Sequence, residues 1–127
     1  MRILLDTHIL IWAAENVLPV HVKPYIDDTA NTLVFSAVNI WEVSIKRGLG
    51  RADFPHDPAI LYDRLLSAGF EELPVTARHT LQVSNLPPIH KDPFDRLLLA
   101  QAISEGIPLL TADKDIAKYP GSVIYVG

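Results

Sequence analysis

Residues 2–12 read Arg2-Ile3-Leu4-Leu5-Asp6-Thr7-His8-Ile9-Leu10-Ile11-Trp12. Ile3-Leu4-Leu5 is a short continuous apolar run, as expected of a strand buried on both faces. Asp6 ends that run, although Asp is disfavoured in strands. The apolar residues from Ile9 onward then resume at helical spacing. The junction is therefore strand, acid, helix. Working outward, the same alternation of short apolar runs with longer helical periods recurs along the chain. It predicts βαβ units and a central parallel sheet, so an α/β fold.

Strands are predicted at residues 2–6, at Leu33-Val34-Phe35, over Phe70 to Val75, over Ile107 to Thr111 and over Ser122 to Val126. Helices are predicted at 8–15, 20–29, 37–47, from Pro58 to about Ser67, from Thr76 to Ser84 and over 93–105, with a short one after Thr111. Ser36 stands where an N-cap is wanted. Asp57-Pro58 and Asp92-Pro93 each place a cap before a proline at the first helical position. Gly69 and Gly106 are positioned to stop helices. Gly48 to Pro58 reads as loop. No repeat, low-complexity stretch or linker interrupts the pattern, so residues 1–127 are expected to form one domain.

The chain has 127 residues, 49% of them hydrophobic, and a formal net charge of −4. That charge does not announce a nucleic-acid binder. Nor does it exclude one, because buried acids lower the total without altering an outer basic rim. The absence of cysteine removes disulfides, thiolate metal sites and cysteine nucleophiles. An acid at position 6 interrupts the first apolar run too early for a signal peptide. No run approaches the roughly 20 apolar residues of a membrane span. A cytoplasmic protein is the expectation. No glycine-rich phosphate loop is present, which disfavours P-loop and dinucleotide-binding folds.

Four acids sit where apolar residues would be more comfortable. Asp6 ends the first strand. Helical geometry places successive residues about 100° apart, so Val38, Trp41 and Ile45 are expected to share a core face with Glu42 inside it. Asp95 takes the first place in the i, i+3, i+4, i+7 stripe completed by Leu98, Leu99 and Ala102. Asp113 follows the run Leu109-Leu110-Thr111. Ligands of open parallel sheets bind beyond the carboxyl ends of the strands, where two strand-end acids and two helix acids can converge. Clustered carboxylates repel or take up protons unless a cation joins them, and Mg²⁺ and Mn²⁺ favour such oxygen ligands. A divalent pair can activate water for in-line phosphodiester displacement.

Blander roles compete at each position. Asp92 is a helix cap and Asp95 a first-turn acid. Asp113 and Thr111 can cap a following helix, and Glu42 can pair with Lys46 four residues on. Asp115 reads as a solvated neighbour. Thr7, Ser36, Asn39 and Thr111 are placed to orient carboxylates or waters. Arg96 can reach phosphate or an acid. Lys46, Arg47 and Arg51 form a basic cluster that reads as a solvated face or a guide for RNA. His79 and His90 lack partners at ligand spacing and read as surface residues.

ILLDTHILIW (3–12), FSAVNIWEVSIK (35–46), HKDPFDRLLLAQA (90–102) and PLLTADKDI (108–116) occur in this order. Together they resemble the PIN-domain family, specifically VapC-type toxins of bacterial toxin–antitoxin pairs. The resemblance implies an α/β/α sandwich around a parallel sheet and a Mg²⁺- or Mn²⁺-dependent endoribonuclease. It brings Asp6, Glu42, Asp95 and Asp113 to the family's four acidic positions, with Asp92 and Asp115 as competitors for the last two. It also implies an RNA substrate, a homodimer and a VapB-like antitoxin inserted into the active-site groove. Two other readings fit strand-end acids: a metal-dependent phosphatase or receiver-like phospho-acceptor, and a non-catalytic binding module. Ser36 rather than Asp after the second strand weighs against the receiver.

Overall fold

The computed structural model describes residues 1–127. Five strands, β1 (Arg2–Leu5), β2 (Thr32–Ser36), β3 (Glu71–Leu73), β4 (Leu109–Thr111) and β5 (Val123–Tyr125), form one sheet in the order β3-β2-β1-β4-β5. Every pairing is parallel: Ile3 opposes Leu33, Leu4 opposes Leu109, Val34 opposes Glu71 and Leu110 opposes Ile124. The connections are helical, α1 (Thr7–Ala14), α2 (Lys23–Asp27), α3 (Ala37–Gly48), α4 (Pro58–Ser67), α5 (Ala77–Val83) and α6 (Pro93–Glu105). The predicted α/β fold with helices on both faces of a parallel sheet is the one observed.

Side-chain alternation along β1 divides the core. Leu4 faces a cluster with Val34, Leu98, Leu99 and Leu109, which belongs to the α5–α6 side. Ile3 and Leu5 face a second cluster with Phe35, Ile9, Leu10, Val43, Leu61 and Leu65, on the α1, α3 and α4 side. Both faces of β1 are thus covered, which explains its unbroken apolar run.

The helix boundaries follow their local chemistry. Ser36 caps α3 through a capping box with Asn39. Asp57 and Asp92 accept hydrogen bonds from the first turns of α4 and α6, and Gly106 ends α6 in the left-handed region at φ 67°. Several elements are shorter than predicted, β4 and β5 by two residues each. α2 begins at Lys23 rather than residue 20, because Pro24 is tolerated only in a first turn. β3 stops at Leu73, since Pro74 has no N–H to extend the ladder. The helix expected after Thr111 is a single 3₁₀ turn, Ile116–Lys118. The Gly48–Pro58 loop contains Phe54, which is fully buried in the second cluster.

One expected face was misplaced. Trp41 and Ile45 are 51% and 43% exposed, whereas Val38, Asn39, Glu42 and Val43 are buried. α3 has turned a partly polar stripe inward. The reason lies in what that stripe meets.

Candidate active-site groove

The strand order reverses direction at β1. The chain runs from β1 to β2 on one side, and β4 lies on the other. Such a switch point opens a crevice at the carboxyl ends of the strands. Asp6 follows β1 and Asp113 follows β4 at this edge. Asp6, Glu42, Asp92, Asp95 and Asp113 all line one groove of about 460 Å³, together with His8, Trp12, Lys46, Arg51 and His90. A larger hollow of about 550 Å³ beside Trp41 and Tyr62 is mostly apolar.

Asp6 is only 6% exposed, and both of its oxygens are engaged. Oδ1 accepts from the Thr7 N–H at 2.7 Å, and Oδ2 accepts from the Thr111 hydroxyl at 2.8 Å. The Thr111 oxygen in turn accepts from the Asp113 N–H at 3.0 Å. Hydrogen bonds therefore tie the ends of β1 and β4 together. Burial pushes the Asp6 carboxyl above the usual range, against the pull of these two hydrogen bonds.

Glu42 is reached from the same strand end. The Thr7 hydroxyl donates to Glu42 Oε1 at 2.6 Å, and the Asn39 amide donates to Thr7 Oγ1 at 2.9 Å and to the Leu5 carbonyl at 3.2 Å. Asn39 also accepts the Ser36 N–H at 2.7 Å, and the Ser36 hydroxyl donates to buried Gln101 on α6. Here is the reason for the inward polar stripe of α3: Asn39 and Glu42 complete a network that begins at β1. An apolar replacement would leave Thr7 and the Leu5 carbonyl without these partners.

Asp92 caps α6, its Oδ1 accepting from the Phe94 and Asp95 amides at 2.8 and 3.2 Å. Asp95, one turn in, is buried and faces the other acids. Its carboxyl is pushed up to about 8, first by burial and then by the charges of Asp6, Asp92, Glu42 and Asp113. Asp113 is more open, and its Oδ1 accepts the Asp115 N–H at 2.8 Å. Asp115 lies outside the groove and is paired with Lys118 at 3.1 Å.

Three cationic or histidine positions differ from expectation. Arg96 does not enter the groove. Its guanidinium donates to the carbonyls of Val83, Leu86, Pro87 and His90 and to the Tyr119 hydroxyl, so it clamps the α5–α6 loop. His79 is a core residue, 2% exposed, bonded to the Thr76 N–H and 3.1 Å from Glu105. His90 belongs to the acid cluster. Its Nε2 lies 2.9 Å from Asp95 Oδ2 and 3.7 Å from Asp113 Oδ2. A histidine in a loop offers no periodicity to mark it. Its only sequence signal was its position two residues before the Asp92 cap.

The basic cluster separates. Arg47 pairs with Asp57 at 3.5 Å, and Arg51 pairs with Asp53 at 3.0 Å. Lys46 points into the groove, 2.6 Å from Glu42 and 3.5 Å from Asp92. Burial opposes its ammonium, but Glu42, Asp92 and Asp95 outweigh that penalty and raise its pKa.

Two sets of donors converge closely enough to hold one ion: His90, Asp95 and Asp113, and separately Glu42, Asp92 and Asp95. Within each set one ligand atom per residue lies within 4.8 Å of the others. The all-carboxylate set suits Mg²⁺ or Mn²⁺, and the imidazole in the other set tilts it from Mg²⁺ toward Mn²⁺. The upward push on Asp95 marks the place where a further cation would relieve the repulsion among these carboxylates.

The model of the PIN domain matches residues 3–122. This chain belongs to the PIN domain family. Among solved structures, this PIN domain resembles VapBC2 from Rickettsia felis bound to a promoter DNA fragment, with a TM-score of 0.75, 20% identity and all of both chains covered. It also resembles DNA-bound VapBC from Salmonella typhimurium, at 0.70, 18% identity and 98% of each chain. VapBC-1 from nontypeable Haemophilus influenzae gives 0.64, 18% identity and 98% of each chain. At such identities the likeness is one of fold. No curated protein matches the chain. No helix is long and apolar enough to cross a membrane.

Proposed function

We propose that this PIN domain is a divalent-metal-dependent endoribonuclease, acting in the cytoplasm as the toxin of a VapBC-type toxin–antitoxin pair. The observation that carries this reading is the convergence of Asp6, Glu42, Asp95 and Asp113 on one groove at the β1–β4 switch point. Asp6, Glu42, Asp95 and Asp113 would hold Mg²⁺ or Mn²⁺. A divalent ion supplies Lewis acidity, acidifying a water nucleophile and neutralising charge that develops on phosphate oxygens.

The chain's own residues do the rest. Thr7 and Thr111 fix the carboxylates of Glu42 and Asp6 in place. Ser36 and Asn39 hold Thr7 from below. Asp92 orients the first turn of α6 and with it Asp95. Arg51 at the rim can meet an RNA phosphate. The acidic floor repels unneutralised phosphate, so substrate approach is coupled to metal loading. The likeness to VapBC complexes supports a VapB-like antitoxin as partner, and a homodimer is the assembly we propose beside it.

The test is cleavage of RNA by the purified chain with Mn²⁺ or Mg²⁺, against chelator and against the Asp6→Asn, Asp95→Asn double variant. Loss of cleavage in both controls supports the reading. A folded double variant with full metal-dependent cleavage refutes it. Release of phosphate from small phosphoesters without RNA cleavage would assign a phosphatase instead.

A further inference from the structure

The groove contains two convergent donor sets that share Asp95, and one of them already holds a positive charge. Lys46 reaches its ammonium to 2.6 Å from Glu42 and 3.5 Å from Asp92, two of the three members of the second set. The group is not a floating surface cation. Its side chain is 13% exposed, and its Nζ lies 5.0 Å from the centre of the Phe54 ring and 5.5 Å from that of Phe94. Phe54 is fully buried and Phe94 nearly so, so the two rings form fixed walls. An ammonium in contact with two aromatic faces and two carboxylates is held by charge, hydrogen bond and cation–π attraction together.

We infer that Lys46 permanently occupies one of the two cation places in the groove, so that this PIN domain takes a single divalent ion, at the His90–Asp95–Asp113 end. The inference rests on the proposed metal site and narrows it: the ion is held by Asp95 and Asp113 with His90, Glu42 is held by Lys46, and Asp6 shapes the groove through Thr7 and Thr111. The physical argument is exclusion. A divalent ion bound by Glu42 and Asp92 would stand in contact with a fixed ammonium that uses the same oxygens, and like charges at that distance oppose binding. At the other end no lysine or arginine pairs with Asp95 or Asp113. His90 Nε2 lies 2.9 Å from Asp95 Oδ2, and Asp113 Oδ2 has no donor closer than that nitrogen at 3.7 Å. Lys46 is then a positioning residue: it holds Glu42 and Asp92 as a divalent ion would, and confines the true ion to one end.

The experiment is a Mn²⁺ titration of the full chain, followed by calorimetry for stoichiometry and by electron paramagnetic resonance for coupling between ions. The wild type is expected to bind one Mn²⁺ with the spectrum of an isolated ion. Lys46→Met, which keeps the length and removes the charge, is expected to bind two, with an exchange-coupled signal. Lys46→Arg is expected to remain at one. Two ions in the wild type overturn the inference and leave the metal site standing. One ion in Lys46→Met also overturns it. No Mn²⁺ bound by the wild type overturns the site itself. Lys46→Gln serves as the second neutral variant, and the wild-type result decides by itself if neither neutral variant folds.

Discussion

Replacing Asp95 by Asn should stabilise the metal-free protein and abolish its response to metal. Asp95 has an ordinary value of 3.8 and is pushed up to about 8 in the folded groove. Because the folded value lies above the unfolded one, the folded chain keeps a proton that the unfolded chain releases. The contribution of this group to stability is complete below about pH 4 and is lost as pH rises toward 8. At about 1.36 kcal/mol per pH unit, the loss at pH 7.5 has a ceiling of about 5 kcal/mol. Water and dielectric relaxation in an open groove reduce that ceiling, and about 1–2 kcal/mol is the expected gain for a neutral, nearly isosteric Asn. In a chain of this length that raises Tm by about 4–8 °C. The gain should vanish at pH 4. Saturating Mn²⁺, at about 100 times Kd, should add about 2.7 kcal/mol to the wild type and nothing comparable to Asp95→Asn. The order of the two melting curves therefore inverts on adding metal. Differential scanning calorimetry at pH 4 and 7.5, with and without Mn²⁺, reads all four states. An Asp95→Asn protein that melts below the wild type in chelator at pH 7.5, or that keeps the Mn²⁺ shift, refutes the reasoning.

Three further perturbations separate site from scaffold. Thr111→Val removes the hydroxyl that donates to Asp6 Oδ2; about 1 kcal/mol of stability and about 10-fold in Mn²⁺ affinity should go with it, and calorimetric binding equal to wild type would sink the orienting role. Arg96→Lys cannot serve five acceptors with one ammonium; chemical denaturation should show a loss of about 2 kcal/mol, and an unchanged midpoint would mean the clamp contributes nothing. Phe54→Ala opens a fully buried position in an irregular loop and should cost about 3–5 kcal/mol; a loss below about 1 kcal/mol in a urea melt would show that the loop closes over the gap.

What the sequence made legible depended on whether a residue obeyed a local rule. β1, the Asp57-Pro58 and Asp92-Pro93 helix starts and the Gly106 stop were all readable because cap and breaker chemistry is local. Asp95 was readable because Leu98, Leu99 and Ala102 drew a stripe that it interrupted. α3 shows the opposite case. Its apolar residues suggested a core face through Trp41 and Ile45, but the buried face runs through Asn39 and Glu42. Periodicity assumes that the inside is apolar, and here the inside is a hydrogen-bond network that starts 32 residues away, at Thr7. The Lys46–Glu42 pair was legible from its i, i+4 spacing, but His90 and Arg96 failed for a related reason. Each is decided by which distant group lies within reach, and no spacing encodes that.

The same contrast explains why the groove sits where it does. β1 and β4 are adjacent only because the chain crosses over after β3, and their register sets Leu5 opposite Leu110. One residue beyond β1 comes Asp6, and one residue beyond Leu110 comes Thr111, so the acid and the hydroxyl meet at 2.8 Å without a bend in either strand. A slip of that register by one residue would carry Thr111 away from Asp6 and break this hydrogen bond. The apolar core thereby enforces the polar geometry: Leu4 and Leu109 on one face and Leu5 and Leu110 on the other lock the pairing that delivers Asp6 to Thr111. The costly burial of Asp6 is offset in part by the two hydrogen bonds this pairing delivers, from the Thr7 N–H and the Thr111 hydroxyl.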